Sequence, residues 1–454
     1  MSRLALLGAG LAGAGAAPIL PSAVAYWKAV SYSGTGELLD GSGNAHTARL
    51  GSIAGADSND PLWLPYSSSD GRYVYLPGKA TDYLSTPDSA HVSVTGDIDI
   101  RLKLALNDWT PATDSETLIR KLDGGAGQFS FDLRIHTTGL LAFRWSGDGT
   151  GLETATSTAA TGVTDGAIKW IRVTRATASG DVKFYTSDDG SSWSQLGTTV
   201  SGTAGNIFDS TSVLYIGGYP IATDAETILG KLYRAQIYNG IAGTLVFDAN
   251  PSTATEPFTT FADAANAATI TINRSATGRK SCIVERNLFQ LAVDDYFNIE
   301  DHANLDFAAA ESLTLVVVGR VYGAQARNLI YKRVDATSAG YGIVMGDGET
   351  ITFSIRDTGT SVASNVSSAA TEGTMFTVAG VRNVTDDDLK AFLGSTGNTG
   401  VTDTTTADLT NANPLQIGLF SGTYGDFEFM GAALFRSALT GAQIAQAGTE
   451  LVTA

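Results

Sequence analysis

A single cysteine, Cys282, stands in 454 residues, so no disulfide can form within the chain. Domains of this size bury enough apolar surface to fold without one, and the absence favours folding in a reducing cytoplasm. Basic residues are also scarce: 29 Lys and Arg face 46 Asp and Glu, for a net charge of −17. Phosphate binding needs clustered Lys and Arg, so the balance excludes nucleic acid and disfavours an anionic membrane surface. Apart from the Gly/Ala-rich N-terminal stretch, no segment approaches the roughly 18 apolar residues of a membrane span. Helix-forming runs of Ala, Leu, Glu and Lys are nearly absent. The four histidines, His46, His91, His136 and His302, are scattered. They have neither the spacing of a zinc site nor a G-x-S-x-G partner for serine hydrolysis.

What the chain does hold is 51 Gly, frequent Ser and Thr, and 43% hydrophobic residues against 17% charged. That balance belongs to a globular protein of many short strands and tight turns. Phe129, Phe131, Leu133 and Ile135 alternate with Ser130, Asp132 and Arg134, and Ile351, Phe353 and Ile355 alternate with Thr352, Ser354 and Arg356. Period-two patterning predicts half-buried antiparallel strands. Val182 to Tyr185, followed by Ser187-Asp188-Asp189-Gly190-Ser191-Ser192-Trp193, predicts a hairpin turning on Asp-Gly. Trp193 is expected to pack across that turn.

Five anchors recur in the same order, about 200 to 213 residues apart. Asp82-Tyr83-Leu84 is echoed by Asp295-Tyr296-Phe297, and Leu118 to Lys121 by Leu329 to Lys332. Lys169 to Val173 parallels Met375 to Val378, and Tyr215-Ile216-Gly217-Gly218 parallels Gln416 to Leu419. Gly230 to Arg234 parallels Gly431 to Arg436. A period this long makes each copy a complete domain. Strands at short regular spacing make each domain a two-sheet antiparallel sandwich.

The ordered motifs D-Y-L, W-I-R-V, S-x-D-G-x-x-W, I-G-G and G-x-L-Y-R-A-Q-I-Y resemble the laminin-G-like, concanavalin-A-like jelly roll. Leu38-Leu39-Asp40-Gly41-Ser42-Gly43-Asn44 is similar to that family's opening loop. Leu434 to Ile444 resembles its final strand followed by a short helix, where Thr440 can act as N-cap. The resemblance covers most of residues 24 to 450 and implies an all-β fold of two tandem antiparallel jelly rolls. The expected layout is a Gly/Ala-rich N-terminal arm over 1–23, a first jelly roll over 24–248, a linker over 249–284 and a second jelly roll over 285–454. Two such domains, the arm, and a link running from Gly243-Thr244-Leu245-Val246-Phe247-Asp248 to Asn273-Arg274-Ser275-Ala276-Thr277-Gly278 resemble minor tail proteins of bacteriophages infecting actinobacteria. That likeness implies a structural virion protein assembled in the host cytoplasm, docked on other tail proteins through its arm and contacting host surface glycans. The alternative is a secreted bacterial carbohydrate-binding lectin or adhesin. Self-association stays open.

The arm holds two deceptive patterns. Gly8-Ala9-Gly10-Leu11-Ala12-Gly13 matches G-x-G-x-x-G, yet Pro18 and Pro21 would break the helix that a dinucleotide site needs. Arg3, the apolar stretch and Ala14 to Ala17 fit a signal peptide loosely, with glycine diluting its centre. An embedded, unprocessed arm is the expectation.

Catalysis is not expected. Jelly-roll glycanases carry an E-x-D-x-x-E strand with an acid and a nucleophile, and this sequence has no such run. Asp97-Ile98-Asp99 puts two carboxylates on one strand face without the third acid. Asp188-Asp189 and Asp386-Asp387-Asp388 fall where hairpin turns are expected, so no metal ligand and no cofactor is assigned. Glycan binding asks for aromatics beside polar groups at a loop rim. Each copy offers one such place before its closing strand: Tyr219, Asp224 and Glu226 in the first, Tyr424, Asp426 and Glu428 in the second.

Overall fold

The computed structural model describes residues 16–53, 55–123, 127–323 and 325–453. The chain is all-β: two antiparallel jelly rolls of two facing sheets each, with one α-helix, Gly441–Val452, among the described residues. The alternation visible in the sequence builds these layers. In the strand Phe129–Ile135, Phe131, Leu133 and Ile135 enter the first core. Their neighbours Asp132 and Arg134 therefore lie on the opposite face.

In the first roll, one sheet runs in the order Ser194–Gln195, Asp181–Ser187, Lys169–Arg175, Ile98–Leu106, Leu229–Asn239, Tyr73–Pro77, Cys282–Val284. Its facing sheet runs from Glu153–Thr156 through Leu141–Trp145, Phe129–Ile135, Glu116–Leu122, Leu214–Ile216, Leu84–Thr86 and Thr269–Ile272 to Thr260–Ala262. The second roll repeats both orders. A third apolar cluster joins the two rolls, drawing Tyr73, Tyr75, Tyr233, Cys282 and Val284 from the first and Leu288, Val318, Tyr322 and Met430 from the second. The sheets carrying these residues are the junction sheets.

The expected domain boundaries are corrected by the strand pairing. Residues 249–284 are no linker, because Thr260–Ala262, Thr269–Ile272 and Cys282–Val284 are strands of the first roll. Residues 24–64 do not open the first roll; they complete the second. Ala25–Lys28 pairs with the closing strand Phe427–Phe435, and Leu62–Leu64 pairs with Leu288–Leu291. Glu37–Leu38 and Ala48–Leu50 extend the other sheet beside Phe297–Ile299. These four strands hold the positions that Thr244–Ala249, Thr260–Ala262, Thr269–Ile272 and Cys282–Val284 hold in the first roll.

The hydrogen bonding of the two sets agrees in detail. Asp40 accepts from the Tyr26 amide at 3.1 Å, and Asn44 Nδ2 donates to the Val24 carbonyl at 2.8 Å. Correspondingly, Asp263 accepts from the Asp248 amide at 2.8 Å, and Asn266 Nδ2 donates to the Val246 carbonyl at 2.7 Å. The physical reason for the crossing is edge satisfaction. The chain of the second roll leaves its last strand into a helix, so its sheet edges need pairing strands, and the N-terminal ones supply them. Trp27, fully buried in the second core, anchors the arrangement by donating Nε1–H to the His46 carbonyl at 2.6 Å.

All five repeated anchors fall on equivalent strands, but the closing strand is shifted in register from the text match. Each closing strand carries one bulge against its central neighbour, skipping Tyr233 in the first roll and Met430 in the second. Tyr233 therefore corresponds to Met430, and Gly230 to Phe427 rather than Gly431. Both bulged side chains lie in the junction cluster.

The helix Gly441–Val452 opens with a capping box in which Thr440 and Gln443 bond each other's backbone amides. The amides of Ile19 and Leu20 donate to the Glu450 carboxylate at 3.0 Å. The described part of the arm is thus docked on its own chain. The glycine motif at 8–13 and the leader-like residues through 15 lie outside the described residues.

Trp27→Ala is expected to destabilise the second roll by about 4 kcal/mol. Hydrogen exchange should show protection falling in Leu313–Arg320 and Phe427–Phe435 and holding in Ile98–Leu106 and Leu229–Asn239. Loss confined to the first roll would contradict the pairing.

A candidate ligand-binding face on the first jelly roll

The equivalent outer faces of the two junction sheets have different fates. In the second roll, Val316, Val318, Ala379, Ala433 and Phe435 point outward and are covered by Ile444, Ala447 and Leu451 of the helix. Small and branched apolar residues suit a helix lying flat on a sheet. Counting from the shared bulge, Val316 corresponds to Arg101, Ala379 to Arg172, Ala433 to Gln236 and Phe435 to Tyr238. No helix covers the first roll's version of this face among the described residues.

That uncovered face is built around one buried carboxylate. Asp99 is fully buried and takes two parallel hydrogen bonds from each of two arginines. Arg101 donates through Nε at 3.1 Å and Nη2 at 2.8 Å, and Arg172 through Nε at 2.9 Å and Nη2 at 2.7 Å. The Ala242 amide adds a fifth donor at 3.0 Å. Bidentate forks of this kind fix the guanidinium planes as well as their positions. Burial pushes the Asp99 carboxyl up, but the Arg101 and Arg172 hydrogen bonds and the Arg172 charge outweigh it and hold it below the usual carboxylate range.

Aromatic rings frame the fixed guanidiniums. Arg101 lies over Tyr238 at 4.1 Å and Trp193 at 5.6 Å, while Arg172 lies over Tyr185 at 5.0 Å and Trp193 at 5.5 Å. Trp193 also meets Trp170 edge-on at 6.4 Å. The hairpin turn aims Trp193: Asp189 accepts from the Ser191 and Ser192 amides at 2.8 and 2.7 Å, and Ser187 Oγ donates to Asp189 at 2.9 Å. These bonds hold the Asp189 carboxyl well down, near the bottom of the carboxylate range. Trp193 was expected to pack across its turn, and it reaches further, onto two arginines of neighbouring strands. Nε and Nη2 of each arginine are committed to Asp99, which leaves the Nη1 edges without a protein acceptor among the described residues. Trp170, Tyr185, Trp193 and Tyr238 remain half-buried. Such a face offers ring surface for stacking and oriented N–H donors beside it.

The six residues expected at loop rims are placed differently. Tyr219 and Glu226 do come together, Tyr219 Oη donating to Glu226 at 2.8 Å with the Arg120 guanidinium 3.7 Å over the Tyr219 ring. Asp224 is apart from them, accepting from Lys79 Nζ at 3.1 Å and the Ala80 amide at 2.8 Å. In the second roll, Tyr424 packs against Tyr296 with ring centroids 6.2 Å apart. Asp426 accepts from Lys280, and burial still holds its carboxyl above the ordinary range. Glu428 is no rim residue at all. It lies inside the strand Phe427–Phe435, 1% exposed, accepting from the buried Arg320 at 2.5 Å between the rolls. The expectation of matching rims in both copies is corrected: the second copy spends these acids on the junction.

The sequence carried one overlooked signal for the actual cluster. Asp99, Arg101 and Lys103 alternate with Ile98, Ile100 and Leu102, so three charged residues share one strand face.

No protein-family profile matches this chain, and no curated protein matches it in sequence. Solved structures do match. Domains LG4-5 of the mouse laminin α1 chain align with 84% of this chain and 90% of their own length, at 13% identity and a TM-score of 0.31. The CBM40 of a Ruminococcus gnavus IT-sialidase, bound to α2,3-sialyllactose, aligns with 33% of this chain and 94% of its own, at 13% identity and a TM-score of 0.27. A putative carbohydrate-binding protein from Bacteroides ovatus aligns with 50% of this chain and 61% of its own, at 11% identity and a TM-score of 0.35. At these identities the likeness is one of fold.

Removing the central carboxylate leaves two partly buried guanidiniums facing each other, so Asp99→Ala is expected to cost about 3 kcal/mol in urea unfolding. With a depressed carboxyl, the clamp's contribution is present above the unfolded value near 4 and is lost as pH falls below it. Asp99→Asn should therefore flatten the acid limb of stability against pH, and an unchanged limb would contradict the clamp.

Proposed function

We propose that this chain is a non-catalytic adhesion protein that binds carbohydrate on the Trp193 face of its first jelly roll. The observation supporting this reading is the contrast between the copies: the face sealed by a helix in the second is open, aromatic and arginine-rich in the first. Pyranose rings stack their C–H faces on aromatic rings, and guanidinium N–H groups bond their hydroxyls and carboxylates. Arg101 and Arg172 share the single carboxylate of Asp99 at the centre of this face, in a chain whose total charge is −17. A glycan bearing a carboxylate or sulfate is the favoured ligand class. The second roll serves as scaffold.

A secreted bacterial lectin or adhesin fits this reading directly. The same face would serve a phage tail protein that meets host surface glycans, as the tail-protein resemblance implies. N-terminal sequencing of native material and antibody labelling of virions separate the two settings.

A glycan array probed with the intact chain tests the proposal. Acidic glycans should be retained, with binding weakening as salt rises. Trp193→Ala should lower retention at least about tenfold, the loss of one stacking contact plus its guanidinium shield, with the urea midpoint little changed. Absence of any retained glycan, or retention untouched by Trp193→Ala, would overturn it.

A further inference from the structure

The pairing of the chain's first strands with its last core has a consequence for assembly. Each repeat consists of completing strands followed by a core. The strands of the second repeat, Thr244–Ala249 through Cys282–Val284, complete the core that precedes them. By the same rule, the strands of the first repeat complete a core other than the one that follows them. In the monomer they turn back onto the last core of their own chain. We propose that residues 19–64 are an exchangeable strap that completes the second jelly roll of another molecule of this chain as well as its own.

Three features favour this occupant. First, the strap is a self-contained unit: its four strands bond to strands of the second roll and to each other, while its route to the first roll runs through residues 65–72. Second, that connection is long for the task. It has eight residues, including Ser67-Ser68-Ser69-Asp70-Gly71, against three between Cys282–Val284 and Leu288–Leu291. Eight extended residues span up to roughly 26 Å, enough to redirect the strap to a neighbour. Third, the connection is held at its ends and exposed in its middle: Tyr66 N donates to Asn287 at 2.7 Å, Tyr73 Oη to the Pro65 carbonyl at 2.8 Å, Lys103 Nζ to the Asp70 carbonyl at 2.9 Å, and Arg72 to the Ala254 carbonyl at 2.8 Å and to Glu285 at 2.9 Å, while Ser67, Ser68 and Ser69 are exposed.

The contacts made by the strap are identical in either arrangement, including Trp27 in the core and the His46 ring 4.7 Å from the His302 ring. The balance therefore depends on concentration. A tether of this length gives an effective concentration on the order of 1 mM, so exchange is rare in dilute protein and grows in proportion to it. Reciprocal exchange closes a dimer, and successive exchange extends a head-to-tail filament.

Two full-length variants test this. Arg49 and Asn298 are cross-strand partners between the strap and the second roll. Arg49→Cys and Asn298→Cys are mixed, unfolded, refolded together at about 100 μM and then oxidised, with Cys282 buried out of reach. The expected product is a disulfide-linked pair of the two variants, absent when either is refolded alone. A double variant, Arg49→Cys with Asn298→Cys, should close within one chain in dilute solution, which establishes that the pair can bond. Intrachain closure in the double variant with no mixed dimer would overturn the proposal. Light scattering on the unsubstituted chain gives a second, cysteine-free reading. The dimer fraction after refolding should rise about a hundredfold between about 1 μM and about 100 μM, and a chain that stays monomeric at both would overturn the proposal as well.

Discussion

A sheet edge left without a partner is the constraint on which this molecule turns. The central strands of each roll, Ile98–Leu106 and Leu313–Arg320, are flanked on both sides, but the closing strands and their neighbours need further strands to satisfy their outer amides and carbonyls. The first roll takes them from the chain that follows it. The second takes them from residues 25–64, more than two hundred residues upstream of its own first strand. Because of that closure the two ends of the described chain lie together, with Ile19 and Leu20 bonded to Glu450. The chain consequently passes between the rolls twice, at 65–72 and at 285–287.

Between those crossings sits a polar junction inside an apolar cluster. Arg320, fully buried, donates to Glu428 and to the Ile283 carbonyl, and lies over Phe258 at 4.8 Å. Lys280 reaches Asp426, while Ser281 donates to Asp82 through its amide at 2.7 Å. A buried ion pair of this kind is weak evidence for stability, because desolvation of both charges offsets their attraction. Elsewhere the copies share their scaffolding devices. Lys121 donates to Asp88 at 2.6 Å and to the Ser212 carbonyl at 3.0 Å; Lys332 donates to Asp301 at 2.6 Å and to the Asn411 carbonyl at 3.0 Å. Gly217 and Gly418, at φ +83° and +90°, each sit where a Cβ would come within 2.5 Å of Leu76 or Leu291. On the outer face of the junction sheet the copies differ, one carrying a helix and the other Arg101, Arg172 and Trp193.

The amino-acid sequence made the strands and the repeat legible, since period-two patterning and buried anchors such as Leu84 and Phe297 are local or near-local signals. It did not make the domain boundaries legible. Nothing in the wording of Ala25-Tyr26-Trp27-Lys28 says which closing strand it will join, and Tyr233 and Arg234 offered a text match in the wrong register. The parallel between Asp40 with Asn44 and Asp263 with Asn266 held the answer, but it is carried by two side chains whose spacing differs by a residue. For the site, residue type misled. Tyr424, Asp426 and Glu428 have the composition of a sugar rim, whereas burial of Glu428 follows from its strand position next to Arg320. The Asp99 clamp joins residues from two strands more than seventy positions apart and depends on pairing that only the folded sheet defines.

The first roll comprises residues 66–284, and the N-terminal strands belong to the other roll. Two fragments decide it by urea unfolding followed by circular dichroism and tryptophan fluorescence. A fragment of residues 66–284 is expected to unfold in one cooperative transition, whereas a fragment of residues 24–248 should show none, lacking Thr260–Ala262, Thr269–Ile272 and Cys282–Val284. A cooperative 24–248 beside an unfolded 66–284 would contradict it.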